Sequence, residues 1–263
     1  MTHRLLSRKR QLLASGASRP SPGAARFWKH LGSALMSRDD IIVMTGGLKA
    51  KAGKPEQDAL DWVFAKSAEE TLRARGETVE ERITTIVPGR NPEKLLRFKM
   101  GRNETLPGRS PQARRFHMVA AADVIVSIEG GRGTGSVIEL ALALERPILP
   151  LPFGDETSRS RKWWSDEDTH KYVCERFRID EGVARKWENL RLDDLTDAEL
   201  IELASEVAGH VMFGFRRKCF VALPFALDDV YDYEQSPHGL AELAGTLQAQ
   251  LESHLGVRRA PAS

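Results

Sequence analysis

The 263-residue sequence predicts a doubly wound α/β fold, a mostly parallel sheet flanked by helices. Three observations predict it. Short apolar or β-branched runs alternate with segments of helical periodicity, the pattern of successive βαβ units. Four of those runs end in small or glycine-bearing turns, Ser15-Gly16, Thr45-Gly46-Gly47, Pro88-Gly89 and Gly130 to Gly135. In an open parallel sheet such turns share the carboxyl edge, where ligands bind. Finally, Asp123–Glu139 reads without interruption as a buried strand, a glycine loop and a helix, and a further apolar strand follows at Pro147–Leu151.

The elements follow in order. Gln11–Ala14 is the first strand, and Ala24–Met36 has helical spacing after a loop at Pro20–Pro22. Ile41–Met44 is a buried strand, followed by a basic loop at Lys49–Lys54. Glu56–Arg75 carries helical periodicity and good helix formers. Arg82–Val87 is β-branched and reads as a strand, whereas Asn91–Gly108 is ambiguous and admits a turn of helix. Gln112–Ala122 is an alanine-rich helix that starts with Arg114-Arg115. Beyond Phe153 the pattern weakens into a polar stretch around Trp163-Trp164; Asp197–Val211 then reads as an amphipathic helix. Lys218–Phe225 reads as a strand and Gly239–His254 as a last helix. The expected organisation is a basic segment over 1–9, a ligand-binding domain over 10–210 and a strand-helix extension over 211–263.

Composition excludes several classes. The net charge is +2, so no global charge points to nucleic acid or a membrane surface. Cys174 and Cys219 match no metal-ligand spacing and no disulfide framework, which fits a reducing cytoplasm. The basic start is followed by no long apolar run, and no segment is long enough to span a bilayer.

The glycine loop is the chemical signal. Backbone that approaches a phosphate closely wants glycine, and a helix N-terminus offers unpaired N–H groups and a favourable dipole. Two familiar phosphate motifs fail on spacing. Gly53-Lys54 is followed by Pro55 rather than Ser or Thr, and Leu48 stands where a P-loop needs glycine. Gly131-Arg-Gly-Thr-Gly135 is G-x-G-x-G rather than G-x-G-x-x-G, and it lies in about the fourth β-α unit rather than the first. Arg114 and Arg115 are either a solvated helix start or the partners of an anion, since cations oppose the dipole at a helix N-terminus. Arg132 suits a phosphate or base contact, or solvent. Asp123 is expected to pin its strand, His117 to pack within its helix, and Trp163-Trp164 to pack a core edge, form a lid or meet a second copy.

The run Arg114-Arg115-Phe116-His117-Met118, then Ala122-Asp123, the strand Val124–Ile128 and Glu129-Gly130-Gly131-Arg132-Gly133-Thr134 resembles the SLOG superfamily. That group joins cytokinin-activating phosphoribohydrolases to ligand-sensing domains of bacterial antiphage systems. The resemblance spans residues 11–153 and implies a Rossmann-like, SLOG-type fold with a nucleotide ligand. It assigns ligand contacts to Ser15, Gly16, Thr45, Gly46, Gly47, Arg114, Arg115, Gly130, Gly131, Arg132, Gly133, Thr134, Gly135 and Glu139.

Two departures shape the functional expectation. The family's loop proline is Glu129 here, and its catalytic glutamate, third after the threonine, is Val137. Cleavage of an N-glycosidic bond needs a carboxylate near the developing oxocarbenium, and valine supplies none. The resemblance therefore implies a sensor of an NAD-derived signal such as ADP-ribose or cyclic ADP-ribose. Such a sensor would regulate an effector and act as a homo-oligomer, without tightly bound cofactor, metal, membrane or nucleic acid. The alternatives are an N-glycosidase, with Glu139 or Glu129 replacing the missing acid beside Arg115, and a structural module that binds nothing. The run Cys219–Phe225 also resembles the first strand of TIR-like or deoxyribosyltransferase-like domains, with too little chain after it to complete one.

Overall fold

The computed structural model describes residues 9–51, 57–89, 95–106 and 110–215. Six parallel strands form the central sheet: β1 (Arg10–Gly16), β2 (Ile41–Thr45), β4 (Ile83–Pro88), β6 (Arg102–Leu106), β7 (Val124–Ile128) and β8 (Ile148–Leu151). Their order is β6-β4-β2-β1-β7-β8, and every neighbouring pair is parallel. The chain steps outward from β1 in one direction through β2, β4 and β6, then returns to the other side of β1 for β7 and β8. The topological switch point lies between β1 and β7, where Gly16 stands beside Ile128.

Alternation along the strands divides the core into two layers. Leu12, Ala14, Val43, Ile83, Val124, Val126 and Leu149 face one layer. It contains α1 (Pro22–Met36), α2 (Leu60–Ala74) and α8 (Asp197–Gly214). Leu13, Met44, Ile86, Ile125 and Ile148 face the other, under α3 (Pro111–Ala121) and α4 (Arg132–Ala143). Both faces of the sheet are covered by buried apolar side chains, which is why most of these strands read as apolar runs.

The structure departs from expectation in several places. The basic stretch is not a loop at its start. Leu48–Lys51 is β3, paired antiparallel with β5 (Leu95–Arg97), and residues 52–56 lie outside the described ones. The second helix starts at Leu60 rather than Glu56, because the Ala59 amide donates to Lys49 O and the Leu60 amide to Ala17 O. The segment admitted as a helical turn instead supplies β5 and β6. As an edge strand β6 is polar, which hid its period.

The stretch after Phe153 holds three helices, α5 (Arg159–Trp164), α6 (Glu167–Phe177) and α7 (Glu181–Asn189). Ser158, Asp166 and Asp180 cap their N-termini with side-chain oxygens. Trp164 is buried against Trp187, so it packs the core. His117 is exposed on α3, 3.9 Å from Glu104, rather than packed. Asp123 does pin its strand, its carboxylate accepting the Gln11 amide at 2.9 Å. The C-terminal strand over 218–225 and the helix over 239–254 lie outside the described residues, as does Cys219. Among the described residues no helix is long and apolar enough to cross a membrane.

Candidate functional site

The glycine loop sits at the switch point and is held from three sides. Gly130 has φ +85°, and an added Cβ would lie 2.6 Å from Thr134 Cβ, so only glycine fits. The Thr134 hydroxyl donates to Gly16 O at 3.3 Å, tying the loop to the end of β1. From α5, the Arg159 amide donates to Gly130 O at 2.9 Å, and Ser160 donates through its hydroxyl to Glu129 O at 2.9 Å.

This bracing leaves the first turn of α4 open. Helix α4 has no side-chain cap, and its ladder starts with the Gly135 amide donating to Gly131 O at 3.0 Å. Among the described residues no acceptor faces the amides of Arg132, Gly133 and Thr134. Arg115 lies against this turn; an added Cβ on Gly133 would stand 3.1 Å from its guanidinium. Its side-chain partner is the Gln112 amide oxygen at 3.1 Å. Burial pulls the Arg115 pKa down. Three open amides, a helix dipole and a half-buried cation make a site for an anion.

A second cationic group lies at the end of β2. Arg114 is buried and donates to Gly46 O at 2.7 Å and to Ile86 O at 3.1 Å, stapling the ends of β2 and β4. Its partners are therefore neutral carbonyls rather than an anion, while its Nε is buried without a hydrogen bond. Arg97 reaches the same Gly46 carbonyl at 2.8 Å. Burial, then repulsion from Arg97, brings Arg114 down to about 10, leaving it charged at neutral pH. Asp61 compensates in part: its carboxylate accepts the Leu48 amide at 3.3 Å, and burial raises its pKa. Arg97 and Asp61 were not legible as site residues. Only the fold brings β5 and α2 to the end of β2.

The remaining predicted residues separate. Gly46 is flanked by Arg114 and Asp61, and Gly47 has φ +69° against Thr85 and Val87. Gly16 faces Leu60, 2.6 Å from where its Cβ would be, so its smallness serves packing. Ser15 is half-buried on β1 beside Ser127. Gly135 packs on the Arg159 side chain, and Arg132 is exposed. Glu139 is exposed on α4, five residues beyond Thr134 and so roughly 7.5 Å along the axis. Val137 is buried in the α3–α4 layer. Glu129 turns away from α4: both carboxylate oxygens accept the Ser21 amide, at 3.2 and 3.4 Å. Burial raises its pKa against these hydrogen bonds. No group of His, Cys, Asp and Glu among the described residues could hold a metal ion.

No family model matches the chain, and no curated protein does. Among solved structures it is similar to the structural-genomics target TM1055, at 23% identity and TM-score 0.45 over 61% of this chain and 84% of that one. It is also similar to the molybdenum cofactor binding protein from Rippkaea orientalis, at 18% identity and TM-score 0.43, covering 76% of this chain and 98% of that one. A third is DNA processing protein A from Helicobacter pylori, described there in a single-stranded DNA binding mode. It matches at 13% identity and TM-score 0.41 over 65% of this chain and 82% of that one. Similarity at this level assigns no ligand to this chain.

Proposed function

We propose that the chain is a binding module that holds a phosphate-bearing nucleotide at the N-terminus of α4. The observation that carries this reading is the set of three unpaired first-turn amides, at Arg132, Gly133 and Thr134, with the Arg115 guanidinium against Gly133. Neither Arg114 nor Arg115 has a carboxylate within ion-pair distance among the described residues, and Asp61 offsets the positive charge of the site only in part. A phosphate supplies the remaining compensation with charge-assisted hydrogen bonds.

The carboxylates favour binding over cleavage. Val137 belongs to the core, Glu139 faces solvent, and Glu129 is engaged by Ser21. None stands beside Arg115 to assist the departure of a base. By its resemblance to ligand-sensing SLOG domains, the module would read an NAD-derived signal such as ADP-ribose and pass it to an effector. That requires the ligand to bind two conformational or assembly states with different affinity.

A panel of AMP, ADP-ribose, cyclic ADP-ribose and NAD, scored by thermal shift and by chromatography of released base, tests the reading. Stabilisation by at least one nucleotide without base release is expected. Base release would establish the N-glycosidase instead, and the absence of any shift would leave only a structural module.

A further inference from the structure

Doubly wound folds bind a pyrophosphate at the N-terminus of the first helix. In this chain that position is filled by its own carboxylates. The Ser21 amide donates to Glu129, and Pro22 has no N–H. The Gly23 amide donates to Asp193 Oδ1 at 2.5 Å, and the Ala24 amide to the Ser21 hydroxyl at 3.2 Å. The Ala25 amide then starts the helical ladder at Ser21 O, 3.0 Å away. No amide of the first turn of α1 remains open, whereas three remain open on α4.

The closure is built rather than incidental. Gly23 lets the turn carrying Asp193 approach, since an added Cβ would lie 2.5 Å from the Asp193 nitrogen. Arg26, one turn along α1, holds the same turn through Leu195 O at 3.1 Å, Asp193 O at 3.4 Å and Leu192 O at 3.5 Å. Glu129 reaches α1 because its backbone is left-handed, φ +49°, with its carbonyl fixed by Ser160. Behind the two carboxylates lies a cavity of about 760 Å³ whose wall carries Asp155, Glu156, Glu188 and Asp194 alongside Arg161 and Arg191. A second phosphate on this side meets six carboxylates against the two guanidiniums of Arg161 and Arg191.

We infer that Glu129 and Asp193 are specificity-determining residues: they stand in for an anion at α1 and leave α4 as the position that takes the phosphate of a ligand. A nucleotide is then held by phosphate at α4 alone, with no pyrophosphate bridging to α1 across the switch point. This rests on the ligand reading proposed above.

Calorimetric titration of the full chain with inorganic phosphate and pyrophosphate tests it. The double variant Glu129→Gly, Asp193→Ala frees the Ser21 and Gly23 amides, and glycine suits the left-handed backbone at 129. It is expected to bind one more phosphate per chain than the wild type and to bind pyrophosphate at least threefold tighter. A folded double variant with unchanged stoichiometry and affinity overturns the inference. If circular dichroism shows the double variant unfolded, Asp193→Ala alone must tighten pyrophosphate binding, and unchanged affinity overturns the inference equally. The extra phosphate must also persist when Gly131→Asp is added. A wild type that binds no phosphate refutes the α4 site, yet a phosphate gained by the double variant would still establish the closure of α1.

Discussion

Gly131→Asp separates ligand binding from stability, because it should move the two in opposite directions. An added Cβ at Gly131 meets no atom within 4 Å, and its φ of −107° lies outside the left-handed region. The substitution is therefore a change of charge rather than of shape. Gly131 is the N-cap of α4, where aspartate accepts a first-turn amide and complements the dipole. Together these effects are worth about 0.5–1 kcal/mol, or a rise in Tm of about 1–4 °C for a chain of this size. The same carboxylate occupies the anion site. Displacing two charge-assisted hydrogen bonds costs about 3–6 kcal/mol, so phosphate or AMP affinity should fall at least about 100-fold. Differential scanning fluorimetry and calorimetric titration read the two effects. A variant with raised Tm and affinity within threefold of wild type would refute the assignment of the ligand to α4.

Other outcomes follow from the same geometry. Arg115→Ala should weaken phosphate binding about 10- to 100-fold, by loss of one charged hydrogen bond, with Tm unchanged within 2 °C or slightly raised; titration and fluorimetry check both. Gly130→Ala places a side chain on φ +85° and into Thr134, and should cost at least about 2 kcal/mol in urea unfolding. Arg114→Met removes a donor from Ile86 O and leaves Gly46 O to Arg97 alone, and should cost about 1–3 kcal/mol by the same assay. Glu129 has a raised pKa, so the folded chain holds its proton more tightly than the unfolded one. Its contribution to stability is full below the ordinary value of 4.5 and is lost as pH rises through the higher folded value. Glu129→Gln should flatten that part of the stability–pH curve, as read by urea unfolding between pH 4 and 7.

Much of the sheet was legible because strands buried on both faces carry continuous apolar runs. β1, β2, β7 and β8 do so, and β4 showed through its β-branched residues. β6 was not, since an edge strand with Arg102, Asn103 and Thr105 exposed has no such run. Helices α5 to α7 are short and charged; their caps at Ser158, Asp166 and Asp180 were the available signal. The glycine loop was legible from local spacing, because both its turn and its helix start lie within a few residues. Its surroundings were not. Arg97 and Arg114 converge on Gly46 through pairings 51 and 68 residues apart, and Asp193 meets Gly23 across 170. No local pattern encodes such contacts: of the two acids that close α1, Glu129 stood out only as a departure from the family's proline, and nothing local marks Asp193.

The most direct test is a crystal structure of the full chain grown with AMP. The account predicts phosphate density within hydrogen-bond distance of the Arg132, Gly133 and Thr134 amides and the Arg115 guanidinium, with the Ser21–Glu129 and Gly23–Asp193 bonds intact. Phosphate density at the N-terminus of α1, with Glu129 and Asp193 displaced, would contradict it.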